Sequence, residues 1–332
     1  MSFLKKHLGY LLLLALVYGI YFLTQATAHS SPQVLGVSTN TTLFEEPDSG
    51  RAPILAALQG AQKEILVEVY LLTDKSVIGA LEGAAARGVA VKVMLEPHPL
   101  GSTKYNEATA QQLQQAHIAF SWTDPAFALT HEKAIVIDDS EVFILSQNLT
   151  TSAFEKNREY DVLDTNTTDV NAVRNMFIAD WERQSFTPTD SHLLVSPNTS
   201  RGMLTELIQS ATQSISIEME DINDSSIVQL LSQKAKTLPV ELIVPTASQE
   251  SGNRASVDAL ASSGVSVKAL SSPYIHAKLL LIDGKVAYVG SINFSTQSMD
   301  ENRELGIVLT DPNEIQKLQT TFTTDWGSAV VY

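Results

Sequence analysis

With 332 residues, 44% hydrophobic and only 18% charged, the chain has apolar content for a large core and room for two domains, which excludes a disordered protein. It has no cysteine, so disulfides, thiolate metal sites and cysteine nucleophiles are excluded, and any chemistry must come from oxygen and nitrogen groups. The formal net charge of -15 sets the protein's field against a long polyanion unless a local basic patch outweighs it.

The chain opens with Lys5 and Lys6, an apolar run from Leu8 to Leu23, and the small residues Ala26-Thr27-Ala28. Residues 1–28 read as a signal peptide or an uncleaved signal anchor. Both place the following chain on the exported side, because the positive charge stays cytoplasmic. Residues 29–40 form a linker, and two halves follow, at 41–188 and 189–332.

The halves repeat one another. His131, Lys133, Asp138, Ser146, Asn148, Asn157, Arg158 and Glu159 recur as His276, Lys278, Asp283, Ser291, Asn293, Asn302, Arg303 and Glu304, all at an offset of 145. Upstream, Pro47 to Glu68 matches Pro197 to Glu218 at an offset of 150. In each half, periodicity predicts a helix (51–62; 201–213), a strand (64–71; 214–220), a helix (76–87; 225–236) and a strand (90–95; 239–244). A helix with a short strand follows (107–121; 254–269), then a motif strand, a hairpin return and a closing helix (167–183; 313–325). This alternation implies an α/β fold, internally duplicated, each half an α/β/α sandwich around a mostly parallel sheet. The polar stretch 187–192 marks the junction.

The motif strands are apolar and branched: Ala134 to Ile137 in one copy, Leu279 to Ile282 in the other. Alternation along a strand puts His131 and Lys133 on one face and Asp138 on the other, and likewise His276 and Lys278 against Asp283. The aspartates are therefore expected to be supports. With a two-residue loop at Asp139-Ser140 or Gly284-Lys285, the hairpin would set Lys133 opposite Ser146 and His131 opposite Asn148, and Lys278 and His276 opposite Ser291 and Asn293. Each half would then display histidine, lysine, serine and asparagine together.

Such a cluster suits a phosphodiester. One neutral imidazole can attack phosphorus while a second, protonated, releases the alcohol. Lysine ammonium and asparagine amide groups can stabilise the equatorial oxygens without a metal or other cofactor. Glu159 and Glu304 can each accept from a histidine's other ring nitrogen, and which glutamate serves which histidine stays open. Ser146 and Ser291 suit backbone bonding and phosphate contact equally. Glu68 and Glu218, repeated on the first long strand, fit either a cleft or a core edge.

At these residues the chain resembles the phospholipase D superfamily, marked by H-x-K-x-x-x-x-D and then G-S-x-N. The second copy ends Gly290-Ser291-Ile292-Asn293 and fits fully; in the first, Leu145 replaces the glycine before Ser146-Gln147-Asn148. The resemblance implies two halves related by a pseudo-twofold axis that share one active site within a monomer, and a metal-free reaction through a phosphohistidine. His131 would be the nucleophile and His276 the general acid, with the reverse also open. The expected partner is a phospholipid at a membrane surface, consistent with export, acidic charge and the apolar residues Phe127-Ala128-Leu129 and Pro273-Tyr274-Ile275 entering the motifs. An exported nuclease is the alternative, with a cardiolipin-synthase-like transferase behind it. A catalytically silent scaffold is disfavoured, because both motifs keep every ionisable group.

Overall fold

The computed structural model describes residues 40–100, 104–189, 192–249 and 252–332. The expected signal segment and nearly all of the linker lie outside the described residues. No helix among the described residues is long and apolar enough to cross a membrane.

The first half contributes strands β1 (Thr41–Glu46), β2 (Glu64–Val69), β3 (Ala90–Leu95), β4 (Ala119–Trp122), β5 (Lys133–Ile137), β6 (Glu141–Leu145) and β7 (Asn157–Asp164). The second contributes β8 (Leu193–Ser196), β9 (Ile215–Met219), β10 (Val240–Pro245), β11 (Ser266–Leu270), β12 (Tyr274–Ile275), β13 (Lys278–Ile282), β14 (Val286–Gly290), β15 (Glu304–Leu309) and β16 (Val330–Val331). They form two eight-stranded sheets, ordered β1-β7-β6-β5-β2-β3-β4, with β12 added beside β7, and β16-β11-β10-β9-β13-β14-β15-β8.

The duplicated α/β architecture is as expected; the pairing is not mostly parallel. Only β2-β3-β4 and β9-β10-β11 run parallel within each half's own sheet, because only there does a helix carry the chain back between strands. The motif hairpins close in short turns, the strands after them follow short helices or return from elsewhere in the sheet, and all of these pair antiparallel. The outer strands β1 and β8 and the short helices Thr151–Lys156 and Thr296–Asp300 carry too little apolar periodicity to be visible in the sequence.

Local chemistry repeats with the fold. The helices Lys75–Ala86 and Ser225–Lys234 are capped by Asp74 and Asp224, each accepting from two first-turn amides. Leu66, Val136, Ile144 and Val162 of one sheet share a single buried cluster with Leu279, Leu281, Val289 and Ile307 of the other, together with Val173 and Leu318 from the closing helices. Because apolar burial dominates stabilisation, this shared core makes the halves one folding unit. They also exchange backbone. β12, just before His276, pairs parallel with Asn157 and Arg158 of β7, and Thr130, just before His131, bridges to Arg303.

Candidate active site

The hairpin register differs by one residue from the two-residue-loop expectation. Ala134 pairs with Ile144 and Ile137 with Glu141; in the second copy Leu280 pairs with Tyr288 and Ile282 with Val286. The cause is the motif aspartate. Asp138 and Asp283 adopt left-handed φ of 55° and 54°, joining the loop and lengthening it to three residues. That conformation turns each carboxylate back onto amides at the start of the neighbouring strand. Asp138 accepts from Gln62, Lys63 and Glu64 at 2.7–2.9 Å, and Asp283 from Thr212, Gln213 and Ser214 at 2.7–3.1 Å. These bonds hold both carboxyls below the usual range even against partial burial. Both aspartates are anchors at the opposite end of the strand from the histidines.

The same one-residue difference redirects the serines. Ser146 donates to Glu159 at 2.7 Å and accepts from the Tyr160 amide at 2.9 Å, while Ser291 exchanges hydrogen bonds of 3.1 Å with the Leu305 backbone. Each ties its hairpin to the strand that carries the glutamate. The substitution of Leu145 for Gly290 follows from that neighbouring strand. A Cβ on Gly290 would lie 2.4 Å from Cα of Gly306, whereas Leu145 pairs with Asp161 and buries its side chain in the first half's core.

The histidines are oriented across the halves. His131 Nδ1 lies 3.0 Å from Glu304, and His276 Nδ1 lies 2.7 Å from Glu159. The crossing is a consequence of backbone exchange. The His131 amide donates to the Arg303 carbonyl at 2.8 Å, and the His276 amide to that of Arg158 at 3.3 Å, which puts each imidazole beside the glutamate next in the other half's chain. Burial opposes ionisation of both glutamates, but the facing histidine and lysine overcome it and hold them below the usual carboxylate range. Burial pushes His131 down, against the pull of Glu304, which favours its neutral form.

The lysines complete the cluster. Lys133 donates to the His131 carbonyl and lies 5.5 Å over the Tyr70 ring, and burial pushes it down to about 7. Lys278 donates to the His276 carbonyl at 2.6 Å and to Glu220 at 2.8 Å. Charges of both halves act on one another. Lys278 lowers His131 and Lys133, and Glu159 raises Lys133, so the two motifs form one electrostatic unit. Asn293 is buried, with Oδ1 accepting from the Asp221 amide at 3.3 Å; Asn148 is half-buried, with a buried Oδ1.

Two features were not anticipated, an acid at the site and a pair of cross-half ion pairs. Glu220, in the position matching Tyr70, enters the site. Arg158 pairs with Asp325 at 2.6 Å and Arg303 with Asp180 at 2.8 Å, each pair joining the two halves. A sequence signal for the aspartates exists: Asp180-Trp181 and Asp325-Trp326 share the 145 offset of the motifs. Glu68 and Glu218 are both buried, beside Glu132 and bonded to the Tyr160 hydroxyl at 2.8 Å respectively.

Paired H-x-K-x-x-x-x-D strands meet in one site, with their glutamates exchanged between the halves. The family described as "Cardiolipin synthase, PLD-like domain" matches residues 54–181 and 204–326, and the chain belongs to it. Over 140 residues it is 31% identical to a phospholipase D of Rickettsia typhi, covering 42% of this chain and 66% of the relative. It is 22% identical to cardiolipin synthase 1 of Bacillus anthracis over 87% of this chain and 66% of that one. The chain thus matches just under two thirds of these relatives' length. The phosphatidylserine synthase of Haemophilus influenzae has the same fold, with a TM-score of 0.67 and 13% identity over 90% of this chain and 88% of that one.

Proposed function

We propose that the protein is a metal-independent phosphodiesterase that acts on phospholipids, by hydrolysis or head-group transfer, through a covalent phosphohistidine on His131. The observation that carries this reading is the crossed arrangement of the two histidines, each held at Nδ1 by the other half's glutamate. With Nδ1–H directed at Glu304, His131 presents the Nε2 lone pair to phosphorus. As the N–P bond forms and the bond to the leaving oxygen breaks, His276 delivers its Nε2 proton to the departing alcohol. His276 then takes a proton from water or a second alcohol, whose oxygen attacks phosphorus and releases His131. Lys133 and Lys278 stabilise charge gathering on the equatorial oxygens.

The phospholipid assignment is supported by the relatives named phospholipase D and cardiolipin synthase, and by an acidic chain that disfavours nucleic acid. The surroundings of the site agree with it. The Leu100 amide donates to the hydroxyl of Tyr70, whose ring meets His131 edge-on at 4.9 Å, and the Leu100 side chain is 85% exposed beside it. Export by the N-terminal segment would bring this rim to a membrane surface, with one chain supplying the whole site.

The test is turnover of phosphatidylcholine, phosphatidylglycerol, cardiolipin and single-stranded DNA in the presence of EDTA, with His131→Ala beside the unaltered protein. Lipid cleavage that survives EDTA and vanishes in the variant is expected. EDTA-sensitive turnover would overturn the metal-free mechanism, unaffected activity in His131→Ala the site assignment, and cleavage of DNA alone the lipid assignment.

A further inference from the structure

The two motifs are not equivalent, and the difference lies in a residue outside them. Tyr70 and Glu220 occupy matching positions at the ends of β2 and β9; the Tyr70 amide donates to the Glu132 carbonyl and the Glu220 amide to that of Ala277. In the first half an aromatic ring lies beside Lys133 and His131. In the second a carboxylate takes that place. Glu220 Oε2 lies 2.8 Å from Lys278 Nζ and 3.4 Å from His276 Nε2, the nitrogen left free by Glu159, and Glu220 Oε1 accepts from the Tyr274 hydroxyl at 3.1 Å. Its side chain is 19% exposed, so little solvent screens it. Burial opposes its charge, but His276 and Lys278 hold it ionised. The charge also reaches Lys133 and Tyr70 across the site.

We propose that Glu220 determines the charge of the anion that the site accepts, admitting a phosphodiester monoanion and disfavouring the dianion of a phosphomonoester. This rests on the reading of the site as a phosphodiester centre. An incoming phosphate oxygen needs the same ammonium and imidazole that Glu220 holds. When it takes them, the released carboxylate stays nearby with its charge, and each negative charge on the ligand is repelled in proportion. Around the bound phosphate the two lysines, of which Lys133 is lowered to about 7 by burial, face three carboxylates, Glu159, Glu304 and Glu220. A second ligand charge therefore finds no fixed partner. The phosphomonoester formed by diester hydrolysis carries that second charge and is expelled, while the diester is retained.

Anion binding tests this without any turnover. Calorimetric titration at pH 8 would compare tungstate, a dianion, with diethyl phosphate, a monoanion, on the unaltered full chain, on Glu220→Gln and on Glu220→Tyr, which installs the first half's residue. Removing the charge is expected to tighten tungstate binding by about tenfold or more, and diethyl phosphate by only about the square root of that factor. Circular dichroism reports folding of each variant, and the tyrosine variant carries the test if the glutamine one misfolds. Tungstate affinity unchanged or weakened, an equal gain for both anions, or no binding to any variant would overturn the proposal. Unchanged tungstate binding in a protein that cleaves phosphodiesters would overturn this inference alone. Tightened binding in a protein that cleaves none would leave it standing and overturn the proposed function.

Discussion

The His131 and His276 sides share a strand, a lysine and a crossed glutamate, yet their surroundings differ in kind. His131 meets an aromatic edge and one carboxylate, whereas His276 lies between carboxylates at both ring nitrogens. Duplication supplied two copies of one device, and under the proposed mechanism their unequal neighbours suit them to separate work. A base that attacks phosphorus must be neutral, and burial favours that state for His131. A ring that must deliver a proton from Nε2 is served by a carboxylate that fixes Nδ1, as Glu159 does for His276.

The strongest way to break this comparison is to remove the need for a proton. On an alkyl phosphodiester both His131→Ala and His276→Ala should lose at least about 10⁴-fold in kcat. With p-nitrophenol as leaving group, His276→Ala should recover about 10²-fold or more of its loss in the burst of nitrophenol, because that alcohol departs without protonation. His131→Ala should recover nothing. Recovery in His131→Ala instead would exchange the two roles.

The cross-half ion pairs sharpen the same comparison at the level of stability. Arg303 and Asp180 are 2% and 1% exposed, and Glu68 and Glu132 lie close enough to feel the guanidinium. Arg158 and Asp325 are 7% and 4% exposed. Arg303→Ala should cost about 3–5 kcal/mol in urea unfolding, since it strands several carboxyls in the core, and Arg158→Ala about 1 kcal/mol less. Equal losses would mean that the slightly greater exposure of the Arg158–Asp325 pair does not lessen its cost.

The motif strands, the helices between them and the duplication were legible because periods of 2 and 3.6 and a constant offset are properties of sequence alone. His131, Lys133, His276 and Lys278 were brought together as their spacing implied. Hairpin register was not legible, because it turned on whether Asp138 takes φ below or above zero, and its reason for doing so, the amides of residues 62–64, is distant in sequence. The crossing of Glu159 and Glu304 was invisible for a similar reason: it depends on backbone exchange between halves at β12 and Thr130. Glu220 escaped notice because it breaks the repeat, and a search for what recurs passes over what differs.

The smallest expected effect also separates the halves. The first half buries Glu46, Gln147 and Asp161 together, where the matching residues of the second are Ser196, Ile292 and Gly306. Burial raises Glu46 to about 7 and Asp161 well above its usual value; Glu132 and Glu218 are each raised to about 8. Glu46, Glu132 and Glu218 keep their protons in the folded chain at pH 6, while the unfolded chain releases them near 4.5. The folded state thus binds more protons over that interval, and stability falls as pH rises from about 5 towards 8. His131, lowered by burial, opposes this trend below its ordinary value of 6.5, and Lys133, lowered to about 7, opposes it above pH 7. The buried acids outnumber both. Asp283, lowered to about 2, adds a loss only on acidification below about pH 4. Scanning calorimetry should therefore show Tm falling by about 5 °C between pH 5.5 and 8. Glu46→Gln should flatten that slope, because the replacement keeps the hydrogen-bonding shape and has no proton to release. An unchanged slope in Glu46→Gln would move the pH sensitivity out of this cluster and onto Glu132 and Glu218.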